Sequence, residues 1–175
     1  MTTTITGAGG VSQVQAGAIE SSDLPSGSVV QIVNFQTGTM ATGTTTMPYD
    51  NTIPQNTEGN EYMTLTITPT SATNILIIDA RLNSNPSNSS VVTGALFQDS
   101  ASNAIASTFQ YFANGSIGTP QTIQHKMVSG TASATTFKVR IGSHVTSTTT
   151  FNGRSGGAFY GGTLASSITI TEYTP

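Results

Sequence analysis

At 175 residues and a net charge of −3, the chain is long enough for one well-buried domain, and its five Lys and Arg are too few and scattered to neutralise a run of phosphates. That argues against an electrostatic nucleic-acid partner. Charged residues are only 7% of the chain, against about 25% in an average soluble protein, so Thr, Ser, Asn, Gln and Gly must build a polar but nearly neutral surface.

Cysteine is absent, which removes a disulfide framework and a thiolate metal site. No apolar run approaches the ~20 residues that span a bilayer, so no membrane partner is expected. Met1 is not followed by a basic and then apolar leader, and the expectation is a chain made in a cytoplasm and carried elsewhere by assembly.

Residues 1–27 differ from the rest and are read as an N-terminal arm. Val11, Val14, Ala18 and Ile19 are spaced as one face of a helix or stalk, Leu24 follows, and Pro25 and Gly27 close the segment. Helices shorter than about 12–15 residues seldom hold alone in water, so these five apolar residues are candidates for packing in a stalk or attaching to a partner. The competing reading is a terminal tail with no fixed structure.

Residues 28–175 form the second unit, where strand and turn patterns replace helical periodicity. Strands are expected near 28–35, 61–69, 74–83, 90–98, 103–113, 119–128, 135–144 and 164–173, with a short one near 157–161. In the 61–68 run Met63, Leu65 and Ile67 should face a core while Thr64, Thr66 and Thr68 face water, because side chains alternate across a strand. The next run, Ile75-Leu76-Ile77-Ile78, is apolar on both faces and calls for cover on both sides, from a second sheet or a neighbouring subunit. Turns are expected at Asn85-Pro86-Ser87-Asn88, Asn114-Gly115, Ser129-Gly130 and Asn152-Gly153. Residues 37–60 carry few strand signals, and a loop of that length is usually functional or held by a partner, so Tyr49 at its centre is a candidate for packing on an adjacent subunit. The Thr-rich run 146–150 reads as a polar strand edge or loop. About eight short strands imply an all-β fold, an antiparallel β-sandwich of jelly-roll type.

Three stretches carry a resemblance: residues 52–82 around Glu61-Tyr62-Met63-Thr64-Leu65-Thr66-Ile67-Thr68, the run Ser129-Gly130-Thr131-Ala132 through Phe137-Lys138-Val139-Arg140-Ile141-Gly142, and the ending Gly161-Gly162-Thr163-Leu164 through Ile168-Thr169-Ile170-Thr171-Glu172-Tyr173. Together they resemble a module common in bacteriophage tail-fibre and related virion-appendage proteins. Relatives often place an apolar residue where this chain has Thr171. The resemblance implies a trimeric jelly-roll-like domain on the external surface of a phage particle, assembled in the bacterial host cytoplasm, with the N-terminal segment packing around the threefold axis or plugging into the particle. Its partners would be two further copies and other virion proteins of the tail, baseplate, neck or capsid.

Catalysis finds little support. His125 alternates in step with Ile123 and Met127 and should point inward or at a subunit interface, while His144 falls at a strand end where solvent is the default. Asn114 stands where a Gly-x-Ser-x-Gly elbow would need its first glycine, and Gly7-Ala8-Gly9-Gly10 lacks the lysine of a phosphate loop. No Asp-rich calcium loop or histidine pair at ligand spacing occurs, so no enzyme, metal or cofactor is expected.

Recognition is the better-supported class. Aromatic rings stack on sugars beside polar groups that bond their hydroxyls, and Tyr111, Phe151, Arg154 and Tyr160 are candidates for contact with a host-surface glycan, although core packing is the commoner use of such rings. Ile75, Ile77, His125 and Tyr49 are candidates for packing between subunits. The resulting expectation is a virion structural protein, a homotrimeric short fibre or tail appendage that contacts the host surface. The alternative is a capsid decoration, cement or head-fibre protein that stabilises the shell.

Overall fold

The computed structural model describes residues 23–113 and 120–175. Val11, Val14, Ala18 and Ile19 of the arm, and the Asn114-Gly115 turn, lie outside the described residues.

The described chain is all-β, with antiparallel sheets packed together. Its strands are β1 (Val29–Thr37), β2 (Ala41–Gly43), β3 (Asn60–Ile67), β4 (Ile75–Leu82), β5 (Ser84–Pro86), β6 (Ser90–Gln98), β7 (Ala106–Phe112), β8 (Gln121–Val128), β9 (Thr135–Ser143), β10 (Thr149–Phe151), β11 (Gly153–Arg154), β12 (Gly157–Ala158) and β13 (Ser166–Tyr173). One four-stranded sheet has the order β1-β13-β4-β8 and the other β3-β9-β6-β7. A small sheet, β2-β10-β5, and the β11-β12 hairpin complete the fold.

Period-two alternation builds the core between the two large sheets. Leu76, Ile78, Ala80 and Leu82 of β4 point inward with Ile168 and Ile170 of β13, against Met63, Ile67, Phe137, Val139 and Ile141 from the facing sheet. Leu65 stays half-buried at this core's margin, while Thr64, Thr66 and Thr68 are exposed as the alternation requires.

Strand β6 is buried on both sides. Its inward side gives Val92 and Leu96 to the core, and its outward side gives Ala95 and Phe97 to a second cluster with Met47 and Ala104. Residues 44–59 cross that outer face, held by Met47 N–H donating to Ser143 C=O at 2.9 Å and by Ala104 N–H donating to Pro54 C=O at 2.9 Å. Arg140 clamps the crossing from β9, its guanidinium donating to the carbonyls of Glu58 and Gly59 at 2.8 Å each. The approach is so close that a Cβ at Gly142 would stand 2.9 Å from Met47 Cβ and from Gly59 Cα. Residues 37–60 therefore include a strand, β2, and Met47 is buried on its own sandwich.

Three differences from the sequence reading share a cause. Ser84–Pro86 is a strand instead of the start of a turn, Thr149–Phe151 is its partner, and Ala41–Gly43 pairs on the other side. These triplets are ordered by polar groups around Asn152, whose amide nitrogen donates to Thr37 C=O at 2.8 Å and Thr39 C=O at 3.2 Å while its carbonyl oxygen accepts from Ser166 Oγ at 2.7 Å. The strand expected from 103 begins at Ala106, with Asn103 making one isolated bridge to Gln55. The strand expected over 157–161 shortens to Gly157–Ala158 and gives way to a 3-10 turn at Tyr160–Gly162.

Candidate functional site

The outer face of the β3-β9-β6-β7 sheet carries a cluster of rings. Phe109 and Tyr111 alternate outward from β7, opposite Thr93 and Val91 of β6, and are 59% and 63% exposed. The crossing segment that buries Met47 delivers Tyr49 two residues later, its ring 5.3 Å from Phe109 at a 52° tilt and 6.4 Å from His144 edge-on. An exposed aromatic shelf results.

His144 is only partly exposed, contrary to the solvent position expected of it. Its backbone N–H donates to Val91 C=O, extending the β6-β9 pairing by one residue, and its Nδ1 accepts from Val91 N–H at 3.0 Å with Ser90 Oγ 3.1 Å away. A neutral ring accepting at Nδ1 carries its proton on Nε2.

A groove of about 370 Å³ adjoins the shelf, walled by Asp50 to Pro54 and Ala104 to Ser107. Asp50 Oδ1 accepts from Thr52 N–H at 2.8 Å and Thr52 Oγ at 2.6 Å. These two bonds hold the carboxyl below its ordinary value.

The other expected recognition residues are not gathered here. Phe151 is 1% exposed and stacks on Tyr62 with centroids 4.8 Å apart and planes at 21°, so its assignment to receptor contact is corrected: the ring is core. Burial pushes the Tyr62 phenol up to about 12. Arg154 is half-buried in the β11-β12 hairpin. Tyr160 is 80% exposed, with its ring against Phe159. Phe109, which sequence reasoning passed over, lies two residues from Tyr111 and so on the same strand face; period two alone would have found it.

The outer face of the β1-β13-β4-β8 sheet is a different surface. Register aligns Val128, Ile75, Tyr173 and Val29 in one row across all four strands, and Lys126, Ile77, Thr171 and Ile32 in the next. Val29, Ile32 and Val128 are 49%, 61% and 55% exposed, and Ile75 and Ile77 are half-covered by these neighbours. The remaining rows are polar, with Gln124 donating to Asp79 at 2.8 Å and Asn34 to Thr169 at 2.8 Å. His125 is half-buried on the inward side of β8, opposite Ile78, as its alternation requires.

A buried acid lies at the same end. Glu172 is fully buried and accepts from Gln31 Nε2 at 2.5 Å, Asn74 Nδ2 at 2.6 Å, Thr70 N–H at 2.8 Å and Thr70 Oγ at 2.9 Å. Burial alone would raise its pKa, but the bonds from Gln31, Asn74 and Thr70 outweigh it and leave the carboxyl below its ordinary value. Leu24, the described member of the arm candidates, lines a shallow groove beside this network with Asn74, Thr174 and Pro175. Gly27 N–H donates to Thr174 C=O at 3.2 Å, so the arm joins the sandwich next to Val29 and Tyr173.

Among the described residues no group of three His, Cys, Asp or Glu is placed to hold a metal ion. Among the same residues no helix is long and apolar enough to cross a membrane. The chain matches no family model and no curated protein.

Proposed function

We propose that this protein is a structural subunit of a bacteriophage particle, a short homotrimeric appendage that contacts the host surface. The observation that carries the proposal is the apolar band of Val29, Ile32, Ile75, Ile77, Val128 and Tyr173, interrupted by Thr171 and edged by Lys126, which crosses every strand of one sheet and over which no described segment passes. Contiguous exposed apolar surface of this kind marks an association site, and a surface poor in charge offers little repulsion to close packing of identical copies. Its occupant in this reading is a second copy of the chain.

Two further features support the assignment. Ranked in chain order, the eight long strands lie as 1-8-3-6 and 2-7-4-5, which supports the jelly-roll form implied by the sequence resemblance. Residues 24–27, the described end of the arm, join the sandwich at the banded end.

Light scattering on the purified chain, with antibody labelling of intact particles in the electron microscope, tests the reading. A mass of three chains and label on a particle appendage are expected. A monomer at high concentration, or particles without label, overturns it.

A further inference from the structure

We propose that the aromatic shelf of Tyr49, Phe109 and Tyr111, with the groove beside it, is a binding site for an uncharged saccharide. The proposal deepens the reading of an appendage turned towards a host surface and rests on it.

A pyranose offers two surfaces to a protein: patches of C–H that pack on ring faces, and a rim of hydroxyls that must exchange water for other partners. The shelf answers the first. Phe109 and Tyr111 project from alternate positions of one rigid strand, about 7 Å apart along it, and Tyr49 tilts against Phe109 to make a corner instead of a plane.

The groove and its margin answer the second. His144 holds Nδ1 against the Val91 N–H, which leaves Nε2–H as a donor that no described residue accepts. Asp50 engages Thr52 through Oδ1 alone, and no described residue donates to its second oxygen. A volume of about 370 Å³ falls in the range of small-ligand sites.

Charge selects the class of sugar. The Asp50 carboxylate is the one charged group among the residues of the shelf and groove, so a sialic or uronic acid would meet like charge and no cation. A protein partner is the weaker fit, since the aliphatic rows suited to one lie on the opposite sheet and this face mixes rings with unpartnered polar atoms.

The test is to probe an array of neutral gluco-, galacto- and manno-oligosaccharides, printed beside sialylated and uronic-acid chains, with the full chain, and to titrate each retained sugar by saturation-transfer NMR. At least one neutral oligosaccharide should be retained. Phe109→Ala and Tyr111→Ala should each weaken it roughly tenfold or more, while Tyr160→Ala, a still more exposed ring elsewhere, leaves it unchanged. Retention of acidic chains alone, no retention of any sugar, or binding indifferent to Phe109 and Tyr111 would overturn the inference. These failures are read on the purified chain and leave trimer mass and particle labelling untouched, whereas loss of those two results sinks the appendage reading whatever the array shows.

Discussion

Strand β6 is enclosed by its own chain, with the core on one side and Met47 and Ala104 laid over Ala95 and Phe97 on the other, whereas β4 has Leu76 and Ile78 in the core and Ile75 and Ile77 on an open face. Both strands carry apolar residues on two sides, although only Ile75-Leu76-Ile77-Ile78 is singled out for it in the sequence. The difference comes from what the intervening segments do: residues 44–59 cross one sheet and are clamped there by Arg140, and no described segment crosses the other. Two-sided apolarity states a need for cover. It does not say whether the cover comes from the same chain.

Removing the cover's anchor on β6 should have the largest effect. Phe97→Ala empties a fully buried site shared with Met47, and a cost of about 3–5 kcal/mol is expected, read as a fall in the urea midpoint. Met47→Ala should lose about 2–5 kcal/mol and loosen the crossing, seen as faster hydrogen exchange at the Met47 and Ala104 amides than at β9. An unchanged midpoint for both would mean that the crossing is dispensable and that the two faces are alike.

The seam between the sheets is the next place to press. Glu172 lies on β13 and draws donors from β1 and from the turn between β3 and β4, so it ties the open-faced sheet to the covered one. Glu172→Gln puts an amide N–H₂ where a carboxylate oxygen accepted hydrogen bonds and should cost about 1–3 kcal/mol in thermal or urea unfolding. Because the folded carboxyl titrates below its unfolded value of about 4.5, its stabilisation is complete above that value and disappears as the pH falls through the folded one. Melting curves from pH 6 downwards should therefore show a loss in the wild type that the variant lacks. Parallel curves would place the charge's role elsewhere.

How far these regions can be read from sequence follows from the same physics. The eight long strands are legible because apolar residues alternate and Gly, Asn and Pro punctuate them. Ala41–Gly43, Ser84–Pro86 and Thr149–Phe151 carry no alternation, and their order depends on bonds reaching from Asn152 to Thr37, Thr39 and Ser166, which no local pattern encodes. Tyr111 was legible as a ring near a strand end and Phe109 was within reach of the same rule. Tyr49 and His144 join them only because a loop crosses the sheet and β9 runs one residue past its last strand position. Phe151 is a contact candidate in sequence because its neighbours are Thr, Asn and Gly, and the commoner use of such a ring, core packing, is the one it has, with Tyr62 stacked on it from across the fold.

The smallest change in folding stability should come from the open face, where Ile77→Lys adds a charge between Lys126 and Thr171, next to the row of Val128, Ile75, Tyr173 and Val29. Ile77 is half-covered and the new stem can lie along Ile75 while the ammonium reaches water, so the isolated chain should shift by no more than about 0.5 kcal/mol. Self-association should respond far more strongly, because a buried interface would have to desolvate that ammonium beside Lys126, with Asp79 of the adjoining row as the acid on the same face of the strand. Sedimentation across a dilution series separates the two effects: a monomeric, normally melting variant beside an oligomeric wild type is expected. Should the variant remain oligomeric with the wild-type mass, the band is not where copies meet, and β4 would be a strand that tolerates an uncovered apolar side.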